Sequence, residues 1–402
     1  MRNRVGQQHH PFGYMNLLSP QVFAHEEEAQ VIFNNLCIDY FLGHLSRENM
    51  EIIVDRFRKT YPELVPKAQD LMRKDRRALK DLAMKAKHHV VLMTIVMFTG
   101  LCNANCEICY TDRKKKPNEL TWEEIRQILD QTKRMGSRTL YIPGEGEPTL
   151  DPSFFRALNY AQQLQYQVLF FTNGIVFSND QEAKRYWGVP SDTLVDRVVH
   201  SGAYLYFKLW SFDPDKMSQM MGIQRNMYQW VKVKYGWIPA GLYKFLHHPG
   251  MNRDRIGIEV VVERRTVDEI LEKFLPFIQE YGIKSYFEPI IHSGRYFGGT
   301  NYDLSQEQIH RIRRFLVRQN CPRVNYMYAI TNDGYVTPAI SVSPRILSLF
   351  GNLEELYIRG SRGEIRDLFY LRYRSKFLAK YRYEILGCLC ERMNQWAYRG
   401  QI

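Results

Sequence analysis

The 402-residue chain lacks a membrane-spanning run, a secretion signal and a disulfide framework. Its apolar stretch from His89 to Phe98 is far shorter than the ~20 residues that a bilayer requires. The first ten residues are polar and charged, without the apolar segment of a signal peptide. The cysteines number seven, an odd count that does not suit a set of stapling disulfides. These absences predict a cytoplasmic protein with no membrane partner.

The excess of positive charge is not concentrated in one region. The formal net charge is +12, with 55 Lys and Arg against 43 Asp and Glu, and the basic residues form several separate runs. Such runs most often cover solvated helix faces. The charge therefore points only weakly to an anionic substrate, and nucleic acid is a less favoured partner that is not excluded.

The order of helical and strand-like segments predicts three regions. Residues 1–88 show helical periodicity and no convincing strand, residues 89–320 alternate strands with helices, and residues 321–402 break that rhythm. Within the middle region, Thr121-Trp-Glu-Glu124 and Thr266-Val-Asp-Glu269 predict capping boxes that begin two helices. Six strands followed by helices predict an α/β fold, an open partial (β/α)6 TIM-type barrel. The predicted strands are 90–98, 139–142, 167–171, 204–210, 256–262 and 284–290.

Three thiols follow the first predicted strand in a C-x3-C-x2-C run. Cys102, Cys106 and Cys109 in this arrangement can hold a 4Fe-4S cluster by three of its four irons, which leaves one iron open. Two alternatives remain at this point: the thiols could pack as small apolar side chains, or they could belong to a structural zinc site. Zinc sites are usually built from paired units, and no partner pair with that spacing is evident.

Polar motifs follow the other predicted strands at the ends where barrels of this kind bind ligands. Gly144-Glu-Gly-Glu-Pro148 follows the second strand, and Thr172-Asn-Gly174 follows the third. The glycines allow backbone to approach a ligand closely. Near the ends of strands four and six we expect the catalytic or substrate-contacting side chains Lys208, Glu288, His292 and Arg295.

The cysteine run with the following Tyr110, together with the G-x-G-E-P segment, resembles the signature of the radical S-adenosylmethionine (SAM) enzymes. This resemblance implies that SAM chelates the open iron and is cleaved reductively to a 5′-deoxyadenosyl radical, which abstracts a hydrogen atom from a substrate. It also implies a reductant protein such as flavodoxin or ferredoxin. The SAM contacts that it implies are Tyr110, Gly144, Gly146, Glu147, Thr172, Asn173 and Ser211.

The C-terminal region is similar to the SPASM or twitch extensions of that family, which bind an auxiliary iron–sulfur cluster. Residues 329–339 read as a hairpin with Asp333-Gly334 at its turn. The resemblance implies Cys321, Cys388 and Cys390 as further metal ligands. Ala339 stands where the family has a cysteine, and the terminal pair is C-x-C. An extension without metal, its thiols merely packed, is the alternative.

Peptide-modifying relatives in this family often carry a winged-helix module that contains strands. Because the N-terminal region shows none, the expected substrate is a small polar metabolite such as a sugar, an aminocyclitol or a nucleotide derivative. The alternatives are maturation of a ribosomally made peptide, modification of RNA, or a zinc-stabilised binding protein. The type of enzyme, whether oxidoreductase, epimerase or lyase, stays open.

Overall fold

A computed structural model describes residues 24–111, 114–291, 294–296, 299–313, 315, 327–337, 348 and 352–383. It begins with four helices: α1 (His25–Phe41), α2 (Arg47–Thr60), α3 (Leu64–Leu71) and α4 (Arg76–Ala86). The first half of the barrel follows as β1 (Met93–Val96), α5 (Trp122–Arg134), β2 (Thr139–Ile142), α6 (Phe154–Gln163) and β3 (Gln167–Thr172). Three helices follow, α7 (Ile175–Ser178), α8 (Asp180–Trp187) and α9 (Ser191–His200). They lead to the fourth strand, β4 (Tyr204–Lys208).

After β4 the chain forms an insertion and then completes the barrel. The insertion comprises α10 (Pro214–Met221), the hairpin β5 (Trp230–Val233) and β6 (Gly236–Pro239), and α11 (Ala240–His247). The barrel continues with β7 (Ile256–Val262), α12 (Val267–Glu269), a π-helical turn (Ile270–Phe274), α13 (Leu275–Tyr281) and β8 (Lys284–Pro289). The last described elements are α14 (Gln306–Ile312), β9 (Met327–Ile330), β10 (Val336–Thr337), α15 (Leu368–Arg374) and α16 (Lys376–Arg382).

The main sheet has eight strands in the order β10-β9-β1-β2-β3-β4-β7-β8. The six expected strands all occur and pair in parallel, which confirms the α/β partial barrel. The expected C-terminal hairpin also occurs as β9 and β10. It does not stand apart from the barrel, because β9 pairs in parallel with β1 and so lengthens the barrel sheet. The short hairpin β5–β6 was not expected from the sequence.

Alternation along the strands divides the buried apolar side chains into two clusters. One face of the strands packs against the surrounding helices. The other face fills the barrel lumen, where the ring of Phe171 stacks on that of Tyr206 at 4.9 Å and meets Tyr141 and Tyr286 edge-on. Gly257 makes room for this layer, because a Cβ there would lie 2.0 Å from Tyr206. The lower lumen is thus filled with aromatic rings, and ligands can enter only above them.

The N-terminal helices close the amino-terminal end of the barrel. The amide groups of Asn34 and Asn35 on α1 donate to the carbonyls of His89 and Val90, at 2.8 and 3.1 Å, just before β1. On the same helix, the fully buried carboxylate of Asp39 pairs with Arg382 of α16 at 2.7 Å. The first and last described helices are therefore joined beneath the barrel. Among the described helices, none is long and apolar enough to cross a membrane.

Candidate functional site

The three thiols of the cysteine run lie on the loop that leaves β1. Cys106 is buried, and Cys102 and Cys109 are half-buried. The loop is held by its own backbone: the amide of Asn105 donates to the carbonyl of Met221 at 2.8 Å. Burial raises the pKa of Cys102, Glu147 raises it further, and Lys208 opposes the shift. All three thiols in turn raise the pKa of Lys208, so they surround the same lysine at the top of the lumen.

This donor set fits an iron–sulfur cluster better than a single ion. Among the described residues, no three cysteine, histidine or acidic side chains come close enough together to hold one metal ion, as a structural zinc requires. A 4Fe-4S cluster instead takes each thiolate on a different iron, so its ligands stand further apart. The same loop carries the side-chain amide nitrogen of Asn103, which is buried without a hydrogen-bond partner in the described part of the chain. A sulfide or a cofactor atom would satisfy that donor.

The Gly144–Pro148 loop packs directly against the cysteine loop. The amides of Gly146 and Glu147 donate to the carbonyls of Thr99 and Leu101, each at 2.8 Å. Gly146 must lack a side chain, because a Cβ would lie 2.1 Å from the Leu101 oxygen. Gly144 has a positive φ of 79°, which favours glycine. The two loops therefore form one rigid unit.

Glu147 connects this unit to the end of β3. Its buried carboxylate accepts hydrogen bonds from the hydroxyl of Thr172 at 2.7 Å, the amide of Asn173 at 2.6 Å and the hydroxyl of Thr149 at 2.7 Å. Burial raises the pKa of Glu147, and these bonds act against the shift. Asn173 then reaches the cysteine loop, since its side chain donates to Asn103 at 2.8 Å. The structure thus brings together Glu147, Thr172 and Asn173, three of the residues that the resemblance assigned to SAM.

Tyr110 also joins the two loops. Its hydroxyl donates to the carbonyl of Gly144 at 3.1 Å, and the next hydroxyl, that of Thr111, donates to the carbonyl of Glu145 at 2.6 Å. Burial raises the pKa of Tyr110 well above its usual value, and Glu288 adds to that shift. The phenol therefore stays neutral and serves as a hydrogen-bond donor.

Lys208 points into the barrel, where the sequence left its direction open. It is the register partner of Glu259 on β7, and both side chains lie above the aromatic layer. Burial by itself lowers the pKa of Lys208, but Glu259 and the three thiols together raise it, so the ammonium keeps its charge. Glu259 is a residue that the sequence analysis missed. The signal was present, because a carboxylate in the middle of the apolar strand Ile256–Val262 has no place in a simple core.

The structure describes two of the other expected side chains. The guanidinium of Arg295 donates to the carbonyl of Cys106 at 3.3 Å and to the side chain of Asn105. It braces the cysteine loop. Glu288, on β8, accepts a hydrogen bond from the hydroxyl of Tyr286 at 3.2 Å. His292 lies outside the described residues.

Ser211 lies behind the site. It is fully buried, and its hydroxyl donates to the carboxylate of Glu269 at 2.9 Å and accepts from the amide of Asp213 at 3.0 Å. These contacts give Ser211 a role in ending β4 and beginning α10. The assignment of this residue to SAM has no support from its contacts. The cysteines expected to bind an auxiliary cluster, Cys321, Cys388 and Cys390, lie outside the described residues, as does Ala339.

A polar network that the sequence analysis missed ties the C-terminal hairpin to the site. The ammonium of Lys116 lies 3.0 Å from Asp333 at the hairpin turn and 3.4 Å from Glu145 of the glycine loop. The carboxylate of Glu119 accepts from the amide of Gly100 at 2.7 Å, just before the cysteine loop. The turn thus buttresses both loops. No local pattern reveals the contact with the turn, because Asp333 lies more than 180 positions after both Lys116 and Glu145 (333 − 145 = 188).

Comparison with known proteins agrees with this geometry. A family model described as "Radical SAM superfamily" matches residues 96–232, which include the cysteine loop and the glycine loop. The tungsten-containing aldehyde ferredoxin oxidoreductase cofactor-modifying protein of Pyrococcus furiosus is 23% identical over 246 residues, 59% of each chain. The mycofactocin maturase MftC of Mycobacterium ulcerans is 33% identical over 88 residues, 21% of this chain and 23% of that protein.

A solved structure shows the same fold over a larger part of the chain. Streptococcus suis SuiB, crystallised with the precursor peptide SuiA, superposes with a TM-score of 0.53 at 15% identity and covers 76% of this chain and 72% of its own. The curated relatives are matched over 59% of their length or less. The matched motifs and the parallel partial barrel lead to one assignment. Residues 96–232 form a radical SAM domain, the domain of enzymes whose cofactors are a 4Fe-4S cluster and SAM.

Proposed function

We propose that this enzyme uses SAM to modify a peptide. The observation that carries the proposal is that comparisons by sequence and by structure lead to similar partners: one relative is a maturase, and the solved structure holds its precursor peptide. This favours the peptide alternative over the small metabolite expected from the missing N-terminal strands. The described N-terminal residues are indeed helical, but they pack beneath the barrel and do not bear on what enters the mouth.

Different residues of the chain would hold the two cofactors. Cys102, Cys106 and Cys109 would hold the cluster, and the glycine loop and Asn173 would hold SAM. When bound, cluster and SAM together supply the electron and the 5′-deoxyadenosyl radical that takes a hydrogen atom from the substrate. The side chains and backbone of the protein orient the two cofactors relative to each other. Glu147 fixes the amide of Asn173 and, through the paired loops, sets the distance between the two cofactor sites.

The lumen beneath the site excludes water. Stacked Phe171 and Tyr206 fill it, and the buried side chains of Lys208 and Glu259 lie above them on neighbouring strands. A buried ammonium held charged next to the site favours negative groups there, and a carboxylate of the substrate or of SAM would meet this need. Because these rings fill the lumen, bulk water cannot reach the site from below.

The proposal is tested by following deuterium from substrate into 5′-deoxyadenosine. Cells of the source organism are grown on deuterated amino acids, and their extract is separated into a small-molecule fraction, a larger fraction and a protease-treated larger fraction. Each is incubated with anaerobically reconstituted enzyme, SAM and dithionite. We expect deuterated 5′-deoxyadenosine only from the untreated larger fraction. Deuterium transfer that survives the protease and stays with the small molecules would overturn the peptide assignment.

A second candidate substrate is a small nucleotide derivative. It is favoured by the GTP 3′,8-cyclase of Pasteurella multocida, which is 32% identical over 113 residues, 25% of this chain and 33% of that protein. The same experiment separates the candidates, because cells grown instead on deuterated ribose would label that substrate. The Cys106→Ala variant serves as the control in both arms, since it should release no 5′-deoxyadenosine from any fraction.

A further inference from the structure

A groove on the outside of the barrel lies between α6 and α9. It has a volume of about 620 Å³, within the range of ~300–1,000 Å³ typical of ligand pockets. Because both helices lead into the amino-terminal ends of strands, both begin at the rim of the barrel where the site opens. The groove therefore runs from that rim down the side of the barrel. Its lining residues are Pro152, Phe155, Arg156, Asn159, Trp187, Thr193, Asp196, Arg197 and His200.

Two exposed arginines line this groove, and each lies over an aromatic ring, that of Trp122 on α5 or that of Phe155 in the groove itself. The guanidinium of Arg156 lies 4.4 Å from the ring centre of Trp122, and that of Arg197 lies 5.5 Å from that of Phe155. Within the part of the chain that the structure describes, neither has a carboxylate partner. A cation over a ring is attracted to it, and the N–H groups of the guanidinium stay available for bidentate binding of a carboxylate.

The remaining lining residues offset only one of these two charges. The one lining acid, Asp196, lies next to Arg197 in the chain and accepts a hydrogen bond from His248 at 2.9 Å. The floor is aromatic, since Phe155 and Trp187 meet edge-on at 4.7 Å. The groove thus offers two exposed cations beside an apolar floor, and this combination suits a ligand with both carboxylates and apolar side chains.

The groove is also connected by hydrogen bonds to the Gly144–Pro148 loop. The indole N–H of Trp187 donates to the carbonyl of Thr149 at 2.8 Å, and the hydroxyl of Thr149 donates to Glu147 at 2.7 Å. A chain lying in the groove would therefore end close to the loop that positions Asn173. From Pro152 to Asn159 the groove wall is about 10 Å long, which matches about three extended residues.

We propose that this groove docks an acidic segment of the peptide substrate, outside the residue that is modified. The proposal rests on the proposed function, because it takes the substrate to be a peptide. Charge complementarity argues for the occupant: Arg156 and Arg197 bind glutamate or aspartate side chains, and Phe155 and Trp187 contact the apolar side chains between them. Docking at the barrel side then delivers the rest of the peptide to the mouth.

The test measures binding of a labelled acidic peptide to the full chain. The probe is a fluorescein-labelled peptide of alternating glutamate and leucine pairs, and the reference is the same peptide with glutamine for glutamate. Fluorescence anisotropy gives the dissociation constants. We expect Arg156→Gln and Arg197→Gln each to weaken binding of the acidic probe about tenfold, the loss of one charge-assisted contact.

Matched variants keep the test falsifiable. Arg77→Gln on α4 removes the same single charge from an exposed face elsewhere, and should change binding less than about twofold. Arg156→Lys with Arg197→Lys retains the charge but replaces each planar guanidinium with an ammonium. This double variant should still bind the probe more weakly than the unaltered chain. Circular dichroism checks that each variant is folded.

Four results would overturn the proposal: no binding of the acidic probe, equal binding of the glutamine reference, equal losses in the α4 control, or displacement of the probe by inorganic phosphate alone. The assay needs neither cluster nor SAM. A failure here therefore leaves the deuterium experiment untouched, and a failure of that experiment leaves the measured binding at the groove intact.

Discussion

Replacing Gly146 with alanine should separate the two loops that hold the cofactors. The added Cβ would lie 2.1 Å from the Leu101 oxygen, where even a tight contact needs 3.0 Å, so the loops must move apart by about 1 Å. That movement breaks the hydrogen bonds of the Gly146 and Glu147 amides, both 2.8 Å long. Each is worth about 1 kcal/mol, so the paired state of the loops loses about 2 kcal/mol, a factor of about thirty.

We expect this factor to appear in the dissociation constant of SAM. Anaerobically reconstituted Gly146→Ala should bind SAM about thirtyfold more weakly in calorimetry, while its fold persists. Gly250→Ala is the matched control, because a Cβ there meets only side-chain atoms at 3.3 Å or more. An unchanged SAM affinity in Gly146→Ala would show that the contact between the loops does not set the cofactor site.

Three further predictions address the cluster, the pH dependence and the barrel floor. Cys106→Ala should lose both its iron and the slow release of 5′-deoxyadenosine that occurs without substrate, as measured by iron analysis and chromatography. Burial raises the pKa of Asp151 to about 6, so the native state binds a proton that the unfolded chain releases near 4, and stability falls as pH rises between those values. The loss is about 3 kcal/mol, and Asp151→Asn should abolish it, so that melting temperatures of the two proteins agree at pH 4 and the variant is the more stable at pH 8. Arg382→Leu should cost about 3 kcal/mol in denaturant unfolding because it leaves the buried Asp39 carboxylate unpaired, and adding Asp39→Asn should recover part of that loss.

Local sequence signals predicted the barrel strands well. The second and fifth expected strands match the observed ones at both ends, and the other four differ by a few residues at their termini. Strands buried on both faces appear as apolar runs between turn residues, and this pattern does not depend on distant contacts. The capping box at Thr121 also forms as predicted, with hydrogen bonds in both directions between Thr121 and Glu124.

Predictions failed where a distant group competes for a side chain. Glu269 does not close a capping box with Thr266, because its carboxylate binds the hydroxyl of Ser211 and the amide of Phe212 instead, the latter at 2.7 Å. The contact of Arg295 with Asn105 on the cysteine loop also joins distant parts of the chain, and its role toward substrate stays a prediction. Residue type and spacing cannot reveal such partners, since they depend on how separate βα units come to lie side by side.

The pairing of the C-terminal hairpin was missed for a related reason. The turn at Asp333 and Gly334 predicted two antiparallel strands, but a turn does not specify which sheet they join. The parallel partner of β9 is β1, more than 200 residues earlier in the chain. In the same way, the thiols and the glycine loop could be predicted as candidates, whereas Lys116 became evident only from its contacts in three dimensions.

The ion pair between Asp39 and Arg382 determines the order in which the protein can assemble. These side chains are 343 positions apart, so the floor of the barrel cannot form until nearly the whole chain has left the ribosome. Until then the apolar face of α1, including Val31 and Leu36, has no barrel to cover it. Newly made chains should therefore leave the barrel-facing side of this helix exposed to other chains for most of their synthesis.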